Sequence, residues 1–474
     1  MNYQIIETKK DAIPKLICRT PYIKNFITND FPNWEPDTLA VFDNLCNDNC
    51  EIAIDLGAWI GITSIYLAKK FKHVIAIECD KESLFDLEQN LTLNNISNVT
   101  IIDKPISNLS TNVVFGPRAI NGWNELNLSI SCVKKNTTTQ HDYTTKSITF
   151  KNVLFDYYIK NKSICDYKIN FIKCDIEGGE EQILEDILYY GLQNNTKLYI
   201  SFHLDWWNDK SNLDKLSKFI SQYDCFVVNT LIPDVIQYIY QNPFGSILFV
   251  PKKDIIIPLK DNITACIISY NNYTYTKNMV EQLSRYTKDI VVINNKSTYH
   301  KIIDYFNKKY QFTLLNMEAN HGSEVYKHPD IKKILGSVYI LTDPDLEFNQ
   351  NLPPNFIETL FELQYIYKCH KIGFALDIMS RDIREDIKIA NYTIKQWESQ
   401  FWLNKINNDK YELYQAIIDT TFCLINYNYS GPHIRVAGDF TCKHLPWHNN
   451  YRNIISNDEY ENYLLNNIST NWGR

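Results

Sequence analysis

The chain has 474 residues, of which 45% are hydrophobic and 22% charged, with a net charge of −7. That length exceeds one ordinary core and predicts two domains, and the balance is that of a globular protein, not a disordered or fibrous one. No basic block stands out, which argues against a nucleic-acid partner, and no run approaches about 18 apolar residues, which argues against a membrane span.

In chain order, short apolar runs alternate with helical patterns. EIAID (51–55) reads as a strand, TSIYLAKKF (63–71) as a helix, HVIAIE (73–78) as a strand, KESLFDLEQNLTLNN (81–95) as a helix and VTIID (99–103) as a strand. A polar stretch, 108–147, predicts hairpins or a loop. The alternation resumes with NVLFDYYIK (152–160, helix), INFIKCD (169–175, strand), EEQILEDILYYG (180–191, helix) and KLYISFHL (197–204, strand). Such alternation signals a parallel sheet wrapped by helices. Pro251 and Pro258 then mark a linker. After it the count restarts with TACIISY (264–270, strand), KNMVEQLSRY (277–286, helix), DIVVINN (289–295, strand), KIIDYFNKKY (301–310, helix) and SVYILTD (337–343, strand). The expectation is two α/β domains, 1–258 and 259–474, with residues 1–50 an extension packed on the first.

The 12 cysteines are scattered, with only a wide Cys46/Cys50 pair, and the start of the chain has no apolar core of a signal peptide. Reduced, mostly buried thiols and a cytoplasmic location are expected. Aromatic residues reach 14%, with 32 Tyr and 9 Trp. They suit carbohydrate or nucleotide pockets, although codon bias explains them equally.

The segment Asp55-Leu56-Gly57-Ala58-Trp59-Ile60-Gly61 lies where a strand becomes a helix, and its glycines let the backbone turn close to a ligand. Glu78 closes the next strand, where a carboxylate accepts hydrogen bonds from ribose hydroxyls. The spacing is DxGxxxG and not GxGxxG, which favours S-adenosylmethionine over a dinucleotide. Candidate cofactor residues are Asp55, Gly57, Ala58, Trp59, Gly61, Thr63 and Glu78. A second cluster, Lys173-Cys174-Asp175-Ile176-Glu177-Gly178-Gly179-Glu180, follows a later strand. Together with AIDLGAWIG and ITSIYLA it resembles the FkbM-type O-methyltransferases, over roughly Glu51 to Leu204. The resemblance implies a Rossmann-like fold, S-adenosylmethionine as cofactor and methyl transfer to oxygen.

An alcohol is a poor nucleophile, so a carboxylate must take its proton or a metal must lower its pKa. Asp175 is the candidate base or metal-positioning carboxylate. Glu177 and His203 would complete an oxygen-rich divalent site suited to Mg²⁺. Glu177 is equally a helix N-terminal acid, and His203 equally a core histidine. Trp206 and Trp207 either wall the acceptor pocket or pack in the core.

In the second half, Asp343-Pro344-Asp345 follows an apolar strand, and two carboxylates one residue apart reach one divalent ion. Polar residues gather after the first two strands: Ser269, Tyr270 and Asn271, then Asn294, Asn295 and Ser297. With TDPDLEF, KIGFALDI, QWESQFW, IDTTF and RVAGDFTCKHLPWH, these segments resemble a GT-A-type glycosyltransferase across Asn262 to His448. That implies a nucleotide-sugar donor held by Ser269 to Asn271, Asn294, Asn295, Ser297 and Asp343. It also implies Mn²⁺ or Mg²⁺ on Asp343 and Asp345, with His444 a candidate third ligand or phosphate contact. Asp419 is the first candidate base, with Asp377 and Glu398 behind it, and Arg435 a candidate phosphate contact. The asparagines stand where such enzymes usually carry an acid for the base.

The combined expectation is a bifunctional enzyme of glycan assembly, methylating a sugar hydroxyl and transferring a sugar to a carbohydrate acceptor. Two rivals keep the same folds: a methyltransferase with a degenerate, glycan-binding second domain, and a non-catalytic interaction protein.

Overall fold

The structure, a computed structural model, describes residues 3–8, 10, 12–45, 50–117, 131–134, 142–253, 260, 263–308, 312–389 and 391–466. The chain divides into two compact units, Met1–Lys260 and Asp261–Arg474. Among the described residues no helix is long and apolar enough to cross a membrane.

In the first unit, strands β1 (Ile52–Leu56), β2 (His73–Ile77), β3 (Val99–Ile102), β4 (Ile169–Cys174), β5 (Lys197–Ser201), β6 (Tyr223–Val227), β7 (Thr230–Leu231) and β8 (Ser246–Pro251) form one sheet, ordered β7-β6-β8-β5-β4-β1-β2-β3. Strands β1 to β5 run parallel, and β8 pairs antiparallel with β5 and β6. β1 is buried along its whole length, as a central parallel strand covered on both faces must be. Its neighbours fix the site: Leu56 pairs with Ile77 on one side and Cys174 on the other. The residues that follow, Gly57, Glu78 and Asp175, therefore leave the sheet side by side. The order reverses between β1 and β4, and at such a switch point the crevice beyond the carboxyl ends of the strands takes a ligand.

The helices begin where local chemistry starts them. Ile62–Ala68 follows left-handed Gly61, and the Asp80 carboxylate caps Lys81–Leu93 by accepting from the amides of Glu82 and Ser83. The stretch 152–160 departs from the single α-helix expected of it. One α-turn, Phe150–Asn152, is capped by Thr149 and passes into a π-helical Val153–Ile159, five of whose seven residues are buried, more than one α-helical stripe would hide. Within 108–147, strands Asn112–Pro117, Ser131–Lys134 and Tyr143–Lys146 make a three-stranded antiparallel sheet, and 118–130 and 135–141 lie outside the described residues. The linker expected around Pro258 falls partly outside them too.

The extension forms a hairpin, Gln4–Glu7 with Lys15–Cys18, then short helical turns from Pro21 to Asn33 and a helix Pro36–Leu45. It is pinned to the helix Lys81–Leu93: the Ile17 amide donates to Asn90 Oδ1 at 2.7 Å, and Arg19 pairs with Asp86 and Glu82. Ten cysteines are free thiols, most of them buried. Cys50 is the exception to the expected reduced state, being disulfide-bonded.

In the second unit, strands β9 (Ala265–Ser269), β10 (Ile290–Asn294), β11 (Thr313–Asn316), β12 (Val338–Thr342), β13 (Cys369–Phe374), β14 (Lys405–Ile406), β15 (Leu413–Gln415), β16 (Cys423–Asn426) and β17 (Gly431–Val436) form a sheet ordered β11-β10-β9-β12-β16-β13-β17-β15-β14. β9 to β12 are parallel and β16 is antiparallel to both its neighbours. Here too the order reverses beside the first strand, between β9 and β12. The main core of this unit takes alternate residues from one face of the sheet, such as Ala265 and Ile267, Ile290 and Val292, and Val338 and Ile340.

Candidate active site

In the first unit, Gly57 stands at φ +79°, and a Cβ built there would lie 1.8 Å from the carbonyl oxygen of Asp175. Only glycine lets the two turns touch. Asp55 is fully buried behind the turn, not in the crevice. Its Oδ2 accepts from Thr63 Oγ1 at 2.7 Å and Ser64 Oγ at 2.6 Å, and Lys173 Nζ lies 3.2 Å from its Oδ1. Asp55 thus organises the turn. Lys173 also donates to the Gly57 carbonyl at 2.8 Å and stands 3.7 Å from Asp175 Oδ2. Burial opposes its charge, but the carboxylates of Asp55, Asp175 and Glu35 outweigh burial and raise its pKa.

Glu78 ends β2. Its Oε2 accepts from the Trp59 amide at 2.8 Å, and its Oε1 from the amides of Cys79 and Asp80 at 2.8 and 2.7 Å. Burial pushes its carboxyl up to about 8, against the pull of those three N–H donors.

Gly57, Ala58, Trp59, Thr63, Glu78, Asp175 and Glu177 all border a cavity of about 270 Å³, whereas Asp55 and Gly61 do not. Gly61, at φ +92°, lets the turn pack on Leu87. The far wall comes from the extension, through Tyr22, Phe26, Trp34 and Glu35. Phe26 meets Trp59 edge-on at 4.9 Å and Trp34 at 6.2 Å. Trp59 Nε1 is buried with no hydrogen-bond partner among the described residues. Glu35 holds φ +40°, and burial and Asp175 raise its pKa.

Beyond the cavity's acidic end, Glu177 takes φ +56° and Gly178 φ +91°, which turns the chain sharply before the helix Glu180–Asn194. Glu177 therefore precedes the helix and does not sit in its first turn. His203, just past β5, donates from Nδ1 to the fully buried Glu180 at 3.1 Å. Its Nε2 lies 3.7 Å from Asp175 Oδ1 and 3.5 Å from Glu177 Oε2. Burial works against the imidazolium, but the three surrounding carboxylates, Glu180 foremost, push its pKa up to about 9. Trp206 stacks on the His203 ring at 5.0 Å and 9°. Trp207 is buried beside Phe202, a core position.

Sequence reasoning passed over Lys173, Glu180 and the aromatic wall as functional positions. Lys173 had a signal, a lone cation inside an apolar strand. Glu180 closes the same acidic segment as Asp175.

In the second unit, Ile267 pairs with Thr342 and Ser269 with Asn294, so Ser269 to Asn271, Asn294 to Ser297 and Asp343 to Asp345 emerge at one sheet edge. The polar loop residues are mostly engaged with one another. Asn271 Oδ1 accepts from the amides of Thr298 and Tyr299, and its own amide donates to Ser297 Oγ. Asn294 accepts from the Ser297 amide and donates to Asn316, and Asn295 ties down His321 and Gly322. Ser269 Oγ is 2.7 Å from Thr276 Oγ1. Tyr270, half-buried, follows at the strand end.

Asp343 accepts from Thr420 Oγ1 at 2.9 Å. Burial, then repulsion from Asp345 and Asp419, raises its pKa well above the carboxylate range. His444 Nε2 is 3.5 Å from Asp345 Oδ2, and burial lowers the His444 pKa. Asp419 Oδ1 accepts from Thr421 through its amide and hydroxyl. Three donor atoms within 4.8 Å of one another occur, among the described residues, only at Asp175, Glu177 and His203, so Asp343, Asp345 and His444 do not converge as a ligand triad. Arg435 is buried, pairs with Glu398 and donates to the Ile417 carbonyl, which removes both as phosphate contact and base. Asp377 caps the turn at Met379 and Ser380.

No protein-family model matches the chain, and no curated protein matches it. Solved structures similar to it include the methyltransferase FkbM from Methylobacillus flagellatus KT, 19% identical, with TM-score 0.28, covering 45% of this chain and 47% of that one. An O-methyltransferase from Bacillus cereus in complex with SAH is 12% identical, with TM-score 0.28, covering 49% of this chain and 86% of that one. An rRNA methylase from Streptococcus thermophilus is 14% identical, with TM-score 0.26, covering 46% and 93%. The chain thus spans about half the length of the FkbM structure, and each likeness covers about half of this chain.

Proposed function

We propose that the first unit is an S-adenosylmethionine-dependent O-methyltransferase acting on a carbohydrate hydroxyl. The observation that carries this reading is the cavity at the β1/β4 switch point, where the Gly57–Trp59 turn and Glu78 meet Asp175 and Glu177. The fit to the cofactor rests on three features. The close-packed Gly57 turn leaves backbone exposed to a ligand, and Glu78 Oε2 keeps one acceptor site for a ribose hydroxyl. Trp59 brings an indole N–H that lacks a partner. When bound, S-adenosylmethionine supplies the methyl group.

The chain's own residues do the rest. Tyr22, Phe26 and Trp34 exclude water from the cavity and give a sugar ring a flat apolar face. Asp175 faces the acceptor hydroxyl, to take its proton or to position a metal that lowers its pKa. Lys173 holds Asp175 in place across a 3.7 Å ion pair. Titrating the intact chain with S-adenosylhomocysteine by calorimetry tests the cofactor, and absence of binding would sink the reading. Labelled methyl transfer to a saccharide panel tests the acceptor class.

For the second unit we read a nucleotide-sugar transferase. Its support is the β9/β12 switch point, with Asp343 and Asp345 in the crevice and Asp419 close enough to repel Asp343. Such mutual repulsion suits a bound Mn²⁺ or Mg²⁺, with Asp343 and Asp345 as its holders and Asp419 positioned to take an acceptor's proton. The chain of polar loop residues from Asn271 to Ser297 would frame the nucleotide. The two activities would act on one glycan. The engagement of Arg435 by Glu398, and the absence of a converged ligand triad here among the described residues, favour the second reading, a glycan-binding unit without turnover. Hydrolysis of nucleotide sugars by the intact chain, with and without Mn²⁺, decides between them.

A further inference from the structure

We infer that Asp175, Glu177 and His203 bind a divalent transition-metal ion beside the methyl-transfer cavity, with Glu180 as the positioning residue that holds His203 for it. This deepens the methyltransferase reading and rests on it for the role of the ion, though not for its binding.

Four observations converge. Each of the three residues brings one donor atom into a group within 4.8 Å. The contacts from His203 Nε2, 3.7 Å to Asp175 Oδ1 and 3.5 Å to Glu177 Oε2, are too long for hydrogen bonds. Donors about 2.1 Å from a shared ion, at angles of about 110–125°, stand at those separations. Next, the tautomer is right for ligation. Glu180, 0% exposed, takes the Nδ1–H and also accepts from the Ile176 amide at 3.0 Å, which leaves Nε2 facing the two carboxylates, where an ion would take the place of its proton. A carboxylate behind the histidine is the usual outer partner of a metal-bound imidazole. Finally, Glu177 reaches the group through a left-handed backbone followed by left-handed Gly178, a conformation unfavourable for glutamate unless its side chain is wanted there.

The donor set sets the preference. One imidazole nitrogen with two carboxylates suits Mn²⁺, Fe²⁺ or Zn²⁺ better than the all-oxygen ions Mg²⁺ and Ca²⁺. Three protein donors leave coordination positions open, and Asp175 and Glu177 both border the cavity. The ion would therefore meet an acceptor oxygen on the cavity side.

The test uses the intact chain carrying Asp343→Asn and Asp345→Asn, so that the second unit contributes no ion. Mn²⁺ uptake is followed by electron paramagnetic resonance, with S-adenosylhomocysteine affinity measured in parallel. We expect one Mn²⁺ per chain, tighter than Mg²⁺, with a directly bound nitrogen visible by pulsed resonance. His203→Asn should abolish the nitrogen coupling, and Glu177→Gln should weaken uptake at least tenfold. Glu180→Gln should weaken uptake 10–100-fold. In each variant retained S-adenosylhomocysteine affinity shows that the unit is folded. No Mn²⁺ uptake, or uptake and nitrogen coupling unchanged in His203→Asn, overturns the proposal. Mn²⁺ bound at His203 without S-adenosylhomocysteine binding would leave the metal site standing and remove the methyltransferase reading instead.

Discussion

The two sheets of this chain reverse their strand order beside their first strand, and both crevices are acidic, yet the two handle their charge differently. In the first, Lys173 lies between Asp55 and Asp175, and His203 faces Asp175, Glu177 and Glu180, so each of these four acids has a cation beside it. In the second, Asp345 and Asp419 repel Asp343, and burial lowers the pKa of His444, 3.5 Å from Asp345. The nearby Lys371 donates to the carbonyls of Ile418 and Asp419, and Arg435 is occupied by Glu398. One crevice is built with cations against its acids, whereas the cations near the other are hydrogen-bonded to carbonyls or paired with Glu398. Counting carboxylates at a strand edge does not separate these cases, whereas locating the cations does.

The largest expected effect breaks the first crevice by its backbone. Gly57→Ala places a Cβ against the Asp175 carbonyl at a left-handed φ and should destabilise the first unit by at least about 3 kcal/mol. Gly322→Ala, in the second unit at φ +72° and ψ −164° with open space around its Cβ, should cost about 1–3 kcal/mol from backbone strain alone. Hydrogen-exchange mass spectrometry reads each unit separately. Equal losses would mean that the Gly57 turn relaxes and is not held by Asp175.

Next comes Glu78. Measured above pH 8, where the carboxyl is ionised, Glu78→Ala should weaken S-adenosylhomocysteine about 10–100-fold, the worth of a charged hydrogen bond, while Asp343→Asn should leave that affinity unchanged. The same residue sets a pH trend. A carboxyl whose folded pKa of about 8 exceeds its unfolded value of 4.5 binds its proton more tightly when folded. Its contribution is therefore most favourable below pH 4.5 and declines as pH rises toward 8. Protection of the unliganded first unit should fall across that window, and Glu78→Gln should flatten the fall. Glu398, which burial lifts to about 7 against Arg435, should give the second unit a decline of the same sign, complete by about pH 7.

Much of this architecture was legible in the sequence because its signals are local. Five-residue apolar runs such as Ile52–Leu56 and Val338–Thr342 have the length and burial of central parallel strands. The DxGxxxG turn announces itself through glycines that the backbone requires. What escaped notice depends on distant partners. Asp55 looked like a ligand contact, and only the packing of Lys173, Thr63 and Ser64 around it shows an organiser. Nothing near Trp34 in the chain says that it lines the same cavity as Trp59, since the hairpin and Arg19 tie its segment to the helix Lys81–Leu93. Asn271, Asn294 and Asn295 share a strand edge with the acids, but their hydrogen bonds run mainly to loop backbone. Polarity at the right edge is readable, and its direction is not.

The smallest expected effect is the sharpest test of the contrast. In metal-free buffer, Asp343→Asn should stabilise the second unit by about 1 kcal/mol, because it relieves repulsion with Asp345 and Asp419 while a side-chain oxygen remains to accept from Thr420. Asp175→Asn should have the opposite sign and a similar size, since it withdraws a negative charge from Lys173 and His203. Thermal denaturation in chelator gives both shifts. Adding Mn²⁺ should then raise the wild-type second unit and leave Asp343→Asn nearly unmoved, as a ligand stabilises only the form that binds it. If Asp343→Asn instead lowers the melting temperature, the charge that strengthens its bond from Thr420 outweighs the repulsion. The second crevice would then be held by its own contacts and would not depend on a cation to complete it.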